Sequence, residues 1–190
     1  MDQLATMTKV LHETQRVVDG IEPAQLDNPT PCDEWTVRDV LNHITGGAKM
    51  FAIAAAEGSV PDDQLGEIMG GDNLGADYKA AFRAASDRAI EAYSPPGVLD
   101  KMVVLPFGEM PAGAALDIAI FDVATHTWDL ARGSGQRMEL DADVLDVAFG
   151  IAQQMIGDDW RASGVFGAEV TIPADAPPED RLAAFTGRTV

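Results

Sequence analysis

The sequence predicts an all-α protein, an antiparallel four-helix bundle with an accessory helix and short extended segments. Three observations carry that expectation. Apolar residues recur at steps of three and four over five separate stretches, the spacing that lines one face of a helix. Prolines and glycines gather between those stretches, where they punctuate the chain. No repeat is visible at the periods that mark solenoids. A chain of 190 residues suffices for one domain with its own core. The expected division is a bundle over residues 1–157 and a tail over 158–190 that packs on it.

The first helix spans residues 2–20, with Leu4, Met7, Val10, Leu11, Val17 and Val18 on one face and Gly20 placed to stop it. Pro23, Pro29 and Pro31 make the next piece a connector, because proline lacks the backbone donor a helix interior needs. Thr36 is the natural N-cap of a second helix carrying Val37, Val40, Leu41, Ile44, Met50 and Phe51. Gly46 and Gly47 interrupt it, marking a kink or a close backbone approach. Residues 57–71, rich in Gly, Asp and Pro, read as a loop, and a third helix is expected from about Asn73 to Tyr93. The β-branched run before Pro106-Phe107-Gly108 predicts a short strand or an extended connector. A fourth helix, about 112–132, is apolar for most of its length and therefore central. Asp141 caps a fifth over about 142–156, and the tail ends in a helical turn over 180–185.

Charge narrows the function classes. Acidic residues outnumber basic ones 31 to 13, giving a formal charge of −18. Nucleic-acid binding depends on Lys and Arg displacing counterions from phosphates, so that class is excluded, as is an anionic membrane surface. No window reaches the apolar length of a membrane span, and the N-terminus lacks the basic start and apolar run of a signal peptide. A lone cysteine, Cys32, permits no intrachain disulfide and fits a reducing compartment. A cytoplasmic protein is the expectation.

Three histidines are present, and each can be weighed. His12 lies among polar neighbours and reads as an ordinary surface or packing residue. His43 and His126 each follow an aspartate by four positions, Asp39 and Asp122, which places acid and imidazole on one helical face. Such a pair converges on one metal ion or simply hydrogen-bonds in the core. Asp122 and His126 occupy the most apolar helix, where an uncompensated carboxylate is costly and needs a partner. With the second and fourth predicted helices as neighbours, His43 would face that pair. Three ligands from two helices leave a coordination position open, as catalytic sites do. Cys32, beside Asp33 and Glu34, is disfavoured as a thiolate, and Trp35 and Trp128 read as core residues. Phosphate-loop, dinucleotide and serine-hydrolase motifs are absent.

The stretch Thr30-Pro31-Cys32-Asp33-Glu34-Trp35-Thr36-Val37-Arg38-Asp39-Val40-Leu41-Asn42-His43-Ile44 resembles the opening motif of an actinobacterial family related to mycothiol-dependent maleylpyruvate isomerase. That family lies within the DinB-like, or YfiT-like, metal-dependent group. Asp122-Val123-Ala124-Thr125-His126-Thr127-Trp128-Asp129-Leu130-Ala131 is similar to its second motif. The tail from Pro173 to Leu182, followed by Phe185-Thr186-Gly187-Arg188, also resembles this group. The resemblance implies a DinB-like four-helix bundle holding a divalent metal, zinc or nickel, on three side chains. His43 takes the place of the first histidine and His126 that of the last. Asp122 stands where the isomerase often has Glu, one methylene shorter.

The implied activity is a transferase or isomerase reaction that uses mycothiol or another small thiol, activated by the metal, on an electrophilic substrate. Maleylpyruvate itself is not carried over, since the isomerase has a further C-terminal domain and only a short tail follows the fifth helix here. Arg132, one to two turns past the metal pair, is placed to receive a carboxylate of thiol or substrate, with surface solvation as the competing reading. The alternative to an enzyme is a non-catalytic metal- or small-molecule-binding bundle. A homodimer is compatible with the resemblance, because such bundles often expose an apolar helix face.

Overall fold

The computed structural model describes residues 2–190. Helix α1 (Gln3–Gly20) starts where the Asp2 carboxylate accepts the N–H groups of Leu4 and Ala5. A 3-10 turn (Pro23–Gln25) leads to α2 (Val37–Glu57). At the start of α2, Asp39 N–H donates to Thr36 Oγ1 at 3.3 Å while the Asp39 carboxylate takes the Thr36 N–H and hydroxyl, a reciprocal capping box. Then come α3 (Asp62–Gly70), α4 (Tyr78–Tyr93) and a two-stranded hairpin, β1 (Met102–Leu105) and β2 (Gly108–Pro111). The chain closes with α5 (Ala112–Gly133), α6 (Ala142–Met155), α7 (Asp158–Ala162) and α8 (Pro178–Phe185).

Three elements depart from the sequence reading, one of them α7, a short helix in the tail where only the turn over 180–185 is expected. Residues 62–70, expected as loop, form α3, which anchors itself by burying only Ile68. The helix expected from Asn73 begins instead at Tyr78. Asp72 takes the N–H groups of Leu74 and Gly75 in a local turn, so the helix waits for Asp77, whose carboxylate caps it through Ala80 N–H.

Helices α1, α4, α2 and α5 form a closed ring of neighbours around the core. Side-chain contacts fix their directions. Gln3 bonds Gly113 and Asp117 near both N-termini, Thr14 meets Thr127 midway, and Gln136, just past α5, bonds Val17 near the end of α1, so α1 and α5 run parallel. Lys79 and Arg83 at the start of α4 reach Asp19 at the end of α1, making that pair antiparallel. Gly133 at the end of α5 packs on Val37 at the start of α2, and β1, just before α5, bridges to Ser59 just after α2. That pair is antiparallel too. It follows that α2 and α4 run parallel, and residues 58–77 must return the chain along the bundle. Helix α3 makes that return, and Gly46 permits it: a Cβ there would sit 2.7 Å from Asn73 Nδ2.

Helix α5 is central, with Leu116, Ile120, Ala124 and Leu130 fully buried between α1, α2 and α6. Helix α8 packs on α6 and α5, bringing Arg188 against Asp129 in the last part of α5. Among the described residues no helix is long and apolar enough to cross a membrane.

The capping box yields a direct prediction. Thr36→Ala is expected to cost about 1 kcal/mol, and a melting curve will show a drop of about 2–4 °C. The hydrogen bonds from Thr36 hold the Asp39 carboxyl below its usual range. The stability linked to that lowered value is present at neutral pH and lost as pH falls through it, so the cost of Thr36→Ala should shrink in acid.

Candidate metal centre

The structure brings His43, Asp122 and His126 together. Helix α2 presents His43 in its second turn, and α5 presents Asp122 and His126 about one turn apart. His43 Nε2 lies 3.4 Å from Asp122 Oδ1, and His126 Nε2 lies 3.6 Å from the same oxygen. One donor atom from each residue falls within 4.8 Å of the others. Nitrogen and oxygen ligands bonded tetrahedrally at 2.0–2.1 Å stand about 3.3–3.4 Å apart, so the observed spacing fits one small divalent ion.

Burial alone would raise the Asp122 pKa, but the charges of His43, His126 and Arg188 and the hydrogen bond from His43 bring it down to about 2. Burial alone would lower the His43 pKa, and Asp122 outweighs it, so the net shift is upward. These carboxylate and imidazole groups already attract one another.

His126 is oriented from behind. Asp129 Oδ2 lies 2.9 Å from His126 Nδ1, and the Arg188 guanidinium grips both Asp129 oxygens at 2.8 Å. Asp129 has no side-chain exposure and Arg188 about a tenth. An ionised carboxylate only accepts, so Nδ1 of His126 carries a proton and Nε2 is the ring nitrogen that faces Asp122. Burial pushes Asp129 up, yet the hydrogen bonds of His126 and Arg188 prevail and hold it below the usual carboxylate range.

Two clefts meet at Trp35 and His43. One, of about 500 Å³, lies over Asp122 and His126 and is walled by Cys32, Phe166 and Arg188. The other, of about 630 Å³, opens between α2, α3 and the hairpin turn at Phe107. The Trp35 ring stacks on His126 at 5.7 Å and 17°, and lies 4.9 Å from His43. Trp128 is the core residue the sequence suggests, its indole N–H donating to Asp180. Trp35 is only half-buried and forms the partition between the clefts. Burial pushes the Cys32 thiol up to about 11, so it stays protonated. Cys32 and Asp129 also lie near His126, but Asp129 is committed to Arg188.

Two sequence expectations land elsewhere. Asp39 does not orient His43, because its carboxylate is held in the capping box. Arg132 follows His126 by six residues, about 240° around the helix axis. It bonds Asp180 at 2.8 Å, lies over the Trp128 ring and faces a different cleft. The arginine at the centre is Arg188. His12 is exposed on α1, as expected.

Comparison with known proteins identifies the fold and the family. The crystal structure of the mycothiol-dependent maleylpyruvate isomerase superposes with a TM-score of 0.65 at 18% identity, covering 86% of this chain and 71% of that one. A DinB-like protein from Bacillus subtilis gives a TM-score of 0.56 at 14% identity, covering 74% of this chain and 96% of its own. Both share the fold. Uncharacterized proteins of Mycobacterium tuberculosis strains CDC 1551 / Oshkosh and H37Rv are each 32% identical over 191 residues, covering both chains completely. The profile described as the mycothiol maleylpyruvate isomerase N-terminal domain matches residues 7–131, and the chain belongs to that family.

Proposed function

We propose that this protein is a divalent-metal-dependent transferase or isomerase that uses a small thiol, with His43, Asp122 and His126 as the metal ligands. The observation that carries this reading is the convergence of three donor atoms from two helices, backed by Asp129 holding the far side of His126. An ion on two imidazoles and one carboxylate, zinc or nickel by the likeness of the donor set to the family's, would supply Lewis acidity that keeps a thiol ionised at neutral pH. The remaining work belongs to the chain. Asp129 and Arg188 fix the His126 tautomer, and Trp35 keeps the imidazoles packed. A thiol and an electrophile each need room beside the centre, and the two adjoining clefts provide it. The related isomerase is mycothiol-dependent by its description, so mycothiol or a thiol like it is the co-substrate proposed here.

Elemental analysis of tag-free protein purified without chelator tests this directly. Near-stoichiometric divalent metal is expected in the wild type and less than a tenth of that in His126→Ala. Full metal content in the variant would overturn the ligand assignment. With metal established, thiol transfer to a panel of electrophiles should disappear on chelation and return on reloading.

A further inference from the structure

The larger cleft has a composition that selects among electrophiles. Its floor is Gly46 and Gly47 of α2 with Met50 and Ile68, all nearly or partly shielded from water. At its rim stand Met69 of α3 and Phe107 of the hairpin turn, large apolar side chains 68% and 48% exposed, the Phe107 ring tilted against Phe51 at 6.4 Å. Its charged lining apart from His43 of the metal centre is acidic, Glu34 and Asp39, with Asn42 beside them. Neither Arg38 nor Lys49, the cations of α2, lines it, and Lys49 is turned to Asn73 by two hydrogen bonds. Glu34 lines the cleft from a left-handed backbone, φ 66°, a conformation that disfavours side chains other than Gly, Asn and Asp.

Resting on the proposed thiol chemistry, we infer that the second substrate is an apolar electrophile carrying no carboxylate, bound in the cleft between α2, α3 and the hairpin turn. A dicarboxylate such as maleylpyruvate would enter a cleft whose lining holds no lysine or arginine to receive it. Asp33, Glu34, Asp39 and Asp122 around the junction outnumber the two charges that a divalent ion brings. The net charge of −18 adds a long-range barrier to any anion. Arg188 does not relieve this, since its guanidinium is spent on Asp129 and Thr186. An uncharged, flat, apolar molecule meets neither obstacle and finds Phe107, Met69 and Trp35 to pack against.

The test uses the full chain, with and without metal, and two probes that differ in charge: methyl cinnamate and the cinnamate anion. Dissociation constants come from ligand-observed NMR. The ester should bind at least about tenfold tighter than the anion, a gap worth about 1.4 kcal/mol. Phe107→Ala, at an exposed position, should weaken the ester at least about fivefold with an unchanged melting temperature. Glu34→Lys should bring the anion to within about threefold of the ester. Equal binding of both probes to the wild type overturns the inference, as does ester binding indifferent to Phe107→Ala or no binding of either probe. Glu34 and Phe107 are not metal ligands, so the two readings fail separately. Loss of the ester preference in metal-replete protein sinks only this inference. Absent metal with the preference intact sinks only the metal assignment.

Discussion

Asp129→Ala is expected to cost about 3–5 kcal/mol, because it leaves the Arg188 guanidinium buried without its counter-charge. For a chain of this length that corresponds to a drop of about 6–20 °C in melting temperature. The same substitution removes the acceptor that holds His126 Nδ1–H, so metal affinity should also fall, by about 10–100-fold. The two effects can be separated. Replacing both partners with apolar residues, Asp129→Leu with Arg188→Met, removes the stranded charge, and stability should return to within about 1–2 kcal/mol of the wild type. Metal affinity should stay low, because a leucine cannot orient an imidazole. Denaturant unfolding and a competitive metal titration read the two quantities. A double variant that regains both would show that Asp129 serves folding alone.

Metal itself should stabilise the fold. An ion that binds only the native chain adds about 2.7 kcal/mol when free metal is 100 times its dissociation constant. Differential scanning fluorimetry should then report a rise of about 5–11 °C over the chelated protein. His126→Ala should show no such rise at the same metal concentration, whatever its own starting temperature. A wild-type curve that is the same with chelator and with excess zinc or nickel would mean that the three donors are merely satisfied by one another. The comparison is internal to each variant, so any direct cost of the substitution cancels.

Much of this architecture was legible in the residues, for reasons that also explain where reading stopped. Helices α1, α2, α5 and α6 bury long apolar stripes, and their periodicity locates them within a few residues. The Thr36 cap follows from a threonine placed just ahead of such a stripe. Helix α3 was not legible, since its composition is that of a loop and a single buried side chain, Ile68, holds it. The histidine spacing correctly paired Asp122 with His126, yet the same spacing failed at Asp39, where the capping box competes for the carboxylate. Asp129 sits three residues after His126, a helical neighbour that the i+3 rule could have nominated. Arg188 could not be nominated by spacing at all. It reaches Asp129 only because α8 packs on α6 and α5, a tertiary fact with no local signature. The two-residue hairpin loop at Pro106 and Phe107 was visible as a turn, but its place at the mouth of a cleft depends on the bridge from β1 to the end of α2.

The support of the centre is gathered from three remote parts of the chain: residues 32–43, 122–129 and 186–188. Contacts of such long sequence separation form late, because the loops that join them must close before the contacts repay that entropy. Early collapse of α1, α2 and α4 would leave His43 with no partner, and docking of α5 alone would leave Asp129 with its counter-charge still in solvent. Capture of metal during refolding thus reports the docking of α2 against α5, which joins residues 79 apart in sequence. In stopped-flow refolding with zinc or nickel present, metal uptake at the proposed site should lag helix formation.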